Sequence, residues 1–140
     1  MAFAIGVAGL SGCKSPTNES DFVAGTRLGM SPRDVREHFV PGGEGTWQTS
    51  LGSGDDTILE WHATGAGAKY RSARFEFHLG MLVAVRARAE GGVAKEGVTA
   101  TPKIVTVVRP SSEGGTDIDI LSRDCPTHHD EAEALAAKAH

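Results

Sequence analysis

The feature that most constrains the fold is an alternation of polar and apolar residues on both sides of a glycine, over residues 74–86. Such alternation is typical of strands with one buried face, and the central glycine is typical of a hairpin turn. A three-residue loop, with Gly80 in the left-handed conformation, would place the large apolar side chains of both strands on one face, whereas a two-residue loop would mix the faces. These side chains belong to Phe75, Phe77, Met81, Val83 and Val85. We therefore predict an antiparallel hairpin with the longer loop, residues 78–80.

Similar runs of β-branched and aromatic residues, bounded by glycine-rich or charged turns, predict the rest of a sheet. The predicted strands cover residues 46–51, 57–63, 72–77, 81–88, 104–109 and 117–121. Residues 90–101 are instead rich in Gly, Ala, Lys and Glu, and we expect a mobile loop there. The pattern favours an α+β domain with a mostly antiparallel sheet of five or six strands.

A short helix is predicted over about residues 32–40, packed on one face of the sheet. Ser31 can cap its first turn, Asp34 completes a capping box, and a proline stands at the first helical position. A Pro-Gly-Gly sequence ends the helix. Val35 and Phe39 lie one turn apart and would face the sheet, which a helix this short needs in order to persist.

A second helix is predicted over about residues 128–138, with Thr127 and Asp130 as its capping box and alanines inside it. Leu135 is its only large apolar residue, so the helix can dock only weakly. It is a second candidate for covering the sheet face on which the first helix packs. We assign residues 21–125 to the α+β domain and residues 126–140 to this C-terminal helical tail.

The composition fits one globular domain and excludes several classes of protein. The chain has 140 residues and a formal net charge of -4, an imbalance too small to attract nucleic acid. Its two cysteines, Cys13 and Cys125, are too few for a disulfide scaffold and lack the spacing of a zinc module. We expect no cofactor and no nucleic-acid partner.

The N-terminus has the pattern of a bacterial lipoprotein signal. Residues 2–10 form an uncharged apolar run, long enough for a signal peptide and too short to span a membrane. The following Leu10-Ser11-Gly12-Cys13 resembles a lipobox, which implies removal of residues 1–12 and attachment of lipid to Cys13. Residues 13–20 would then tether the domain to the bilayer. No basic residue precedes the apolar run, so the chain could start upstream of Met1, and the alternative of a buried strand or helix with a core thiol stays open.

The middle of the chain resembles the SmpA/OmlA (BamE-like) family of small outer-membrane lipoproteins. Residues 28–35, Leu-Gly-Met-Ser-Pro-Arg-Asp-Val, are similar to the family's Gly-Met-Thr/Ser turn that opens a helix. Residues 75–82 are similar to its Phe-x-x-Gly-x-Leu hairpin. The resemblance implies an envelope protein that works through contacts with other proteins. Because Lys14 replaces the aspartate that favours inner-membrane retention in enteric bacteria, it also implies the periplasmic face of the outer membrane.

One group of side chains near the C-terminus could bind a metal. Cys125, His128 and His129 gather soft and borderline ligands for zinc or copper at the start of the predicted helix. No second half of such a site is visible in the sequence. We favour a capped helix whose first turn contains histidines.

A repeated Glu-x-His sequence offers a second possible metal site. Glu60 and His62 share a strand face, as do Glu76 and His78, so adjacent strands could bring two carboxylates and two imidazoles together. The predicted three-residue turn contains His78 and loosens this cluster. A solvated outer face of the sheet is the favoured interpretation.

A basic group could bind an acidic partner or lipid headgroups, although the polar face of a sheet is favoured. It comprises Lys69, Arg71, Arg74, Arg86 and Arg88. Taken together, these features favour a non-catalytic scaffold or adaptor, held in the bilayer by acylated Cys13, with an envelope or outer-membrane protein as partner. The alternatives are a secreted inhibitor-like or ligand-binding module and, behind it, a small metal-dependent enzyme.

Overall fold

The computed structural model describes residues 22–52, 54, 56–91 and 96–139. The predicted signal peptide, Cys13 and the tether lie outside the described residues. The elements in chain order are β1 (Phe22–Val23), β2 (Thr26–Arg27), α1 (Pro32–His38), β3 (Gly45–Leu51), β4 (Asp56–Ala63), β5 (Tyr70–His78), β6 (Met81–Ala89), β7 (Gly97–Ala100), β8 (Ile104–Pro110), β9 (Thr116–Ser122) and α2 (His129–Ala136). Neither helix of the described ranges is long and apolar enough to cross a bilayer.

Seven of the strands form one antiparallel sheet in the order β3-β4-β5-β6-β9-β8-β7, and β1 and β2 form a separate hairpin. The predicted α+β class is confirmed, with seven strands instead of five or six. The additional strand is β7, which lies in the segment expected to be a loop. β7 has four residues, and Val98 is the one that packs against a core. One buried residue in so short a strand gives no visible alternation in the sequence. Pairing with β8 holds it in place.

The turn between β5 and β6 has two residues rather than the predicted three. His78 pairs with Met81, and Leu79 and Gly80 turn the chain with φ values of 52° and 80°. Two consecutive positive φ values match the right-handed twist of the flanking strands, which favours the tight hairpin. The predicted loop was therefore wrong.

A β-bulge in β6 brings large apolar side chains of both strands to one face, which the predicted longer loop would also have done. The register shifts between Glu76 and Phe77, which leaves Val83 as an extra residue in β6. Leu82 consequently lies on the buried face opposite Phe77, whereas Met81 is 55% exposed. Of the five residues predicted for the apolar face, Phe75, Phe77 and Val85 lie in the core, whereas Met81 and Val83 do not, and Leu82 takes their place.

Helix α1 covers one face of the sheet, called the α1 face below. The Ser31 hydroxyl accepts a hydrogen bond from the Asp34 N–H at 3.1 Å, and the Ser31 N–H donates to the Asp34 carboxylate at 3.4 Å, so the predicted capping box is confirmed. Val35 is fully buried against the sheet. The helix ends at His38, short of the predicted residue 40, because Phe39 is already extended, with φ -72° and ψ 122°.

Phe39 is the centre of an aromatic cluster on the α1 face. Its ring centroid lies 5.3 Å from that of Trp61, 5.2 Å from Phe75 and 5.6 Å from Trp47, in edge-to-face contacts. Tyr70 lies 6.4 Å away in a tilted contact. Edge-to-face pairs of this kind stabilise a core beyond the burial of their area. This cluster fastens the end of α1 to strands β3, β4 and β5.

Helix α2 packs on the opposite face of the sheet, so the expectation that it could share a face with α1 was wrong. Successive residues of a strand point to opposite faces, and on β6 Val85 belongs to the core under α1 whereas Ala84 belongs to a second core. That second core contains Ala84, Val105, Val107, Leu121 and the α2 residue Ala132. Each face of the sheet is therefore covered by its own helix.

The start of α2 differs from the prediction. Its N-cap is His128 rather than Thr127, and none of the side chains in the described ranges caps the helix. The predicted capping box of Thr127 and Asp130 is therefore absent, while the helix itself is confirmed. Leu135 is partly buried against the second core, in keeping with the weak docking expected of it.

Candidate functional site

The face that α2 partly covers, called the α2 face below, carries polar and mostly ionisable side chains in two rows across the strands. Residues that are paired in register stand side by side on one face of a sheet. The first row is Glu60, Arg74, Arg86 and Asp119. The second row is Ser72, Arg88, Asp117 and Arg109. The face is therefore patterned by charges of both signs.

The carboxylate of Glu76 compensates two neighbouring positive charges in the first row. Arg74 and Arg86 are directly opposite each other on β5 and β6, an arrangement that destabilises a sheet when nothing compensates it. One carboxylate oxygen of Glu76 accepts hydrogen bonds from Arg74 at 3.0 Å and from Arg86 at 3.2 Å. Arg86 also pairs with Glu131 of α2 at 3.0 Å, which ties the row to the helix.

The basic group of the sequence analysis does not form one patch of uncompensated positive charge. Arg71 pairs with Glu90 at 3.0 Å, and Arg88 pairs with Asp117 at 3.1 Å and with Glu113 at 2.7 Å. Arg74 and Arg86 are paired as described above. The acidic partner or lipid headgroup that this group could have bound would have to compete with carboxylates already in place.

Two adjoining depressions lie on this charged face, with cavity volumes of about 230 and 620 Å³. Both are lined by Ser72 and Arg88, together with further charged side chains of either sign. Small-molecule sites are mostly apolar, with a few polar groups that fix orientation. Neither depression has that character.

The repeated Glu-x-His residues do not converge. The His62 imidazole lies 4.0 Å from the carboxylate of its own neighbour Glu60, and His78 Nδ1 is 2.7 Å from Asp56. Glu76 instead meets His128, a residue 52 positions further along the chain. The solvated-face interpretation holds for His62, which is exposed, but the metal cluster of two carboxylates and two imidazoles is not formed.

The Cys125, His128 and His129 side chains are also divided. His129 Nδ1–H donates to the carbonyl oxygen of Arg123 at 2.8 Å, and His128 Nε2 bonds to Glu76 at 2.7 Å. In the described ranges, the set of metal-ligating side chains whose ligand atoms lie within 4.8 Å of one another is Asp34, Glu37 and His38 on the surface of α1. Exposed acidic sets of this kind are common without an ion.

Cys125, His128 and Glu76 form a buried group beneath the start of α2. Cys125 is 4% exposed and His128 is 6% exposed. The Cys125 side chain is a neighbour of the His128 imidazole, yet within the described part of the chain the buried Nδ1 atom of that ring completes no hydrogen bond. The His128 imidazole and the backbone N–H groups of Thr127 and His128 all lie close enough to the thiol to stabilise its charged form.

Electrostatic interactions shift the pKa values of all three members of the group. The hydrogen bond to Glu76 raises the pKa of His128 to about 9, against the opposing effect of burial. Burial alone would raise the pKa of Glu76, but hydrogen bonds from His128 and Arg74 and the charge of Arg86 lower it to about 2. Burial would likewise raise the pKa of Cys125, and the interactions with His128 and the backbone lower it. At neutral pH the group therefore contains an imidazolium and a carboxylate.

This Cys-His-Glu group has the residue types of a nucleophile, a base and an orienting acid. However, none of the three residues lines either of the two depressions. A nucleophile needs a position beside it for the reacting atom of a substrate. The thiol of Cys125 is buried in this structure, so the three residues do not form an open active site. The sequence showed Cys125 and His128 together but gave no sign of the contact between His128 and the distant Glu76.

Strand β3 presents the other notable feature, an open edge. Within the described part of the chain no strand pairs with its outer side. Its residues, Gly-Thr-Trp-Gln-Thr-Ser-Leu, include no charged residue and no proline, and Leu51 at its end is 84% exposed. Natural sheets usually protect their edges with charges, prolines or bulges. An unprotected edge of seven residues is able to accept a further strand.

Comparisons with known proteins give no relative. No family model, no curated protein and no solved structure matches the chain. The resemblance of its middle to the SmpA/OmlA family thus stays a prediction from the sequence.

Proposed function

We propose that the chain is a membrane-tethered, non-catalytic adaptor of the bacterial cell envelope, which binds a partner protein by accepting a strand at the edge of β3. The proposed location in the cell envelope is supported by the lipobox-like sequence that ends at Cys13 and by the resemblance of residues 28–35 and 75–82 to small outer-membrane lipoproteins. We place the anchor at the periplasmic face of the outer membrane. The mode of binding is supported by the unprotected edge of β3.

The edge of β3 favours a protein partner over a small ligand. Main-chain hydrogen bonds give affinity when a peptide adds to a sheet, and pockets for alternate side chains give specificity. On the α1 face, Trp47 lies next to the edge, with the Arg36 guanidinium 5.5 Å from its ring centroid and bonded to Thr49 at 3.0 Å. These groups give an incoming strand an aromatic surface and a fixed cation to contact.

A lysine pair on the edge is expected to weaken partner binding. Gln48 and Ser50 are exposed and share one face of β3, so the double variant Gln48→Lys/Ser50→Lys adds two charges that a pairing strand would have to accommodate. The measurement is a pull-down from detergent-solubilised bacterial envelopes with the native chain and with the variant. We expect an envelope protein recovered at stoichiometric level by the native chain and at least about tenfold less by the variant, a loss of about 1.4 kcal/mol of binding free energy.

The matched control is Thr99→Lys, which adds a lysine to the opposite edge of the sheet, on β7. It is expected to recover the same protein as the native chain does. Equal recovery by the native chain and the β3 double variant would exclude strand addition at this edge. If the native chain recovers no protein at stoichiometric level, the adaptor proposal fails, and the secreted inhibitor-like or ligand-binding module becomes the better interpretation.

The anchor has its own test. In Cys13→Ala the thiol that receives the lipid is absent, so we expect no incorporation of labelled fatty acid and release of the chain from washed membranes. Globomycin, which blocks the lipoprotein signal peptidase, is expected to leave residues 1–12 attached to the native chain. Unchanged membrane retention of Cys13→Ala would contradict the lipid anchor, whatever the result at β3.

A further inference from the structure

We propose that Cys125 is a site of covalent thiol modification, which forms a mixed disulfide with one half of a low-molecular-weight disulfide while His128 and Glu76 act as positioning residues. This inference is independent of strand addition and of the lipid anchor. It rests on the buried group at the junction of β9 and α2.

The first support is the unpartnered nitrogen beside the sulfur. His128 Nε2–H donates to Glu76 at 2.7 Å, which fixes the ring, while its buried Nδ1 has no hydrogen-bond partner among the described residues. A buried N–H without an acceptor is costly, and the Cys125 side chain is the neighbour that can supply a negative charge to it. A thiolate in this position would satisfy the imidazolium.

The second support is the setting of the sulfur. Backbone N–H groups of Thr127 and His128 lie near it at the turn into α2 and stabilise its charged form. The interactions with His128 and these N–H groups lower the pKa of Cys125 despite its burial. Groups that stabilise a thiolate also make a cysteine reactive near neutral pH. The charged groups that face His128 and Glu76 are Arg74 and Arg86 on β5 and β6.

The reaction is a thiol–disulfide exchange. The Cys125 thiolate attacks one sulfur of the reagent disulfide, the reagent S–S bond breaks, and a new S–S bond forms to Cys125. The second sulfur of the reagent leaves as a thiolate and takes a proton from water. Cys125 is oxidised to a mixed disulfide and the leaving sulfur is reduced, so no other oxidant is needed.

Access to the thiol requires a local movement of α2. Ala132 is the one fully buried residue of this helix, and ion pairs of Glu131 with Arg86 and of Glu133 with Arg123 hold its surface. Segments with few buried apolar contacts open more readily than the rest of a domain. Lifting of α2 would expose Cys125 while the His128–Glu76 pair keeps the preceding turn on the sheet.

The test uses the full chain in a Cys13→Ser background, with glutathione disulfide as the probe and peptide mass spectrometry as the readout. We expect a mixed disulfide at Cys125. An ordinary thiol of pKa about 8.5 reacts about 80-fold faster at pH 8 than at pH 6, because its thiolate fraction rises by that factor. For Cys125 the ratio is expected to be below about tenfold. An ordinary ratio, or no adduct at Cys125, would overturn the proposal.

Variants separate activation from access. In His128→Gln the rate of mixed-disulfide formation is expected to depend on pH as steeply as that of an ordinary thiol. The ratio of rates at pH 8 and pH 6 in the chain that keeps His128 is a test by itself, so the proposal stays testable if this variant does not fold. Glu133→Gln, which breaks the pair with Arg123, is expected to raise the rate about two- to fivefold by loosening α2. Glu37→Gln breaks the exposed pair with Arg33 on α1 and is expected to leave the rate unchanged. Equal rates for both glutamine variants would overturn access through α2.

Discussion

Replacing Phe39 with alanine is expected to lower the free energy of unfolding by about 3–5 kcal/mol. The ring is 8% exposed and contacts the rings of Trp47, Trp61 and Phe75 at centroid distances below 6 Å. Its removal leaves a cavity that these neighbours can fill only in part, and it detaches the end of α1 from the sheet. Urea denaturation followed by tryptophan fluorescence reports the change, since both tryptophans of the described domain border the cavity.

The adjacent residue provides the matched control. Val40 is 68% exposed, and Val40→Ala is expected to change the free energy of unfolding by no more than about 0.5 kcal/mol. Both variants shorten a side chain directly after the same helix, so a general effect of substitution at the helix end would alter both. Similar values for the two would contradict the central position of Phe39 in the aromatic cluster.

The contribution of the His128–Glu76 pair to the free energy of unfolding is expected to be greatest between about pH 4.5 and 6.5. The pKa of His128 is about 9 in the folded chain and 6.5 when unperturbed, so its contribution is complete below pH 6.5 and is lost as the pH rises through 9. The pKa of Glu76 is about 2 against 4.5, so its contribution is complete above pH 4.5 and is lost as the pH falls through 2. Each loss is expected to be on the order of 2 kcal/mol.

Urea denaturation at several pH values between 6.5 and 8.5, with all chains in a Cys125→Ser background, checks the alkaline side of this window, because the lowered pKa of the Cys125 thiol would otherwise raise stability with pH over the same range. Removing the imidazole in His128→Gln is expected to flatten the decline in this range. His62→Gln, which removes an exposed imidazole on the same sheet face, is expected to leave it unchanged. A decline of the same slope in His128→Gln would assign the pH dependence to other groups.

The sequence predicted those parts of the fold that depend on residues close together in the chain. The capping box of Ser31 and Asp34 spans four residues, and the alternation of β5 lies within one strand, so both could be recognised without tertiary information. The strands that it predicted all exist. Local patterns of this kind fix which faces are apolar.

The errors arose where a contact between distant segments decided the result. The turn at Leu79 and Gly80 can be tight because the bulge at Val83 brings the apolar side chains of β6 to the same face as those of β5. A bulge leaves no hydrophobic period in the sequence, so it could not be predicted. Strand β7 exists because β8 pairs with it. The face of α2 is set by Ala132, a residue whose small side chain gives almost no amphipathic signal.

The candidate site was even less accessible to sequence reasoning. Cys125 and His128 stand together in the chain, but they were considered as metal ligands because the true partner of His128, Glu76, lies on a distant strand. The glutamate itself was visible only as part of a Glu-x-His pattern that the structure divides. The edge of β3 is defined by a partner strand that is missing in the described ranges, and no local pattern reports an absence of that kind.

The strand order sets when this domain can finish folding. β9 is the last strand of the sheet in sequence, yet it lies between β6 and β8, and the β7–β8 hairpin joins the remaining strands only through it. A chain emerging N-terminus first from a ribosome or a translocon therefore has two unsatisfied β-structures until residue 122 has appeared. During that interval both would be open to mispairing, so a chaperone that shields them in transit should matter more for this protein than for one whose neighbouring strands follow each other in sequence.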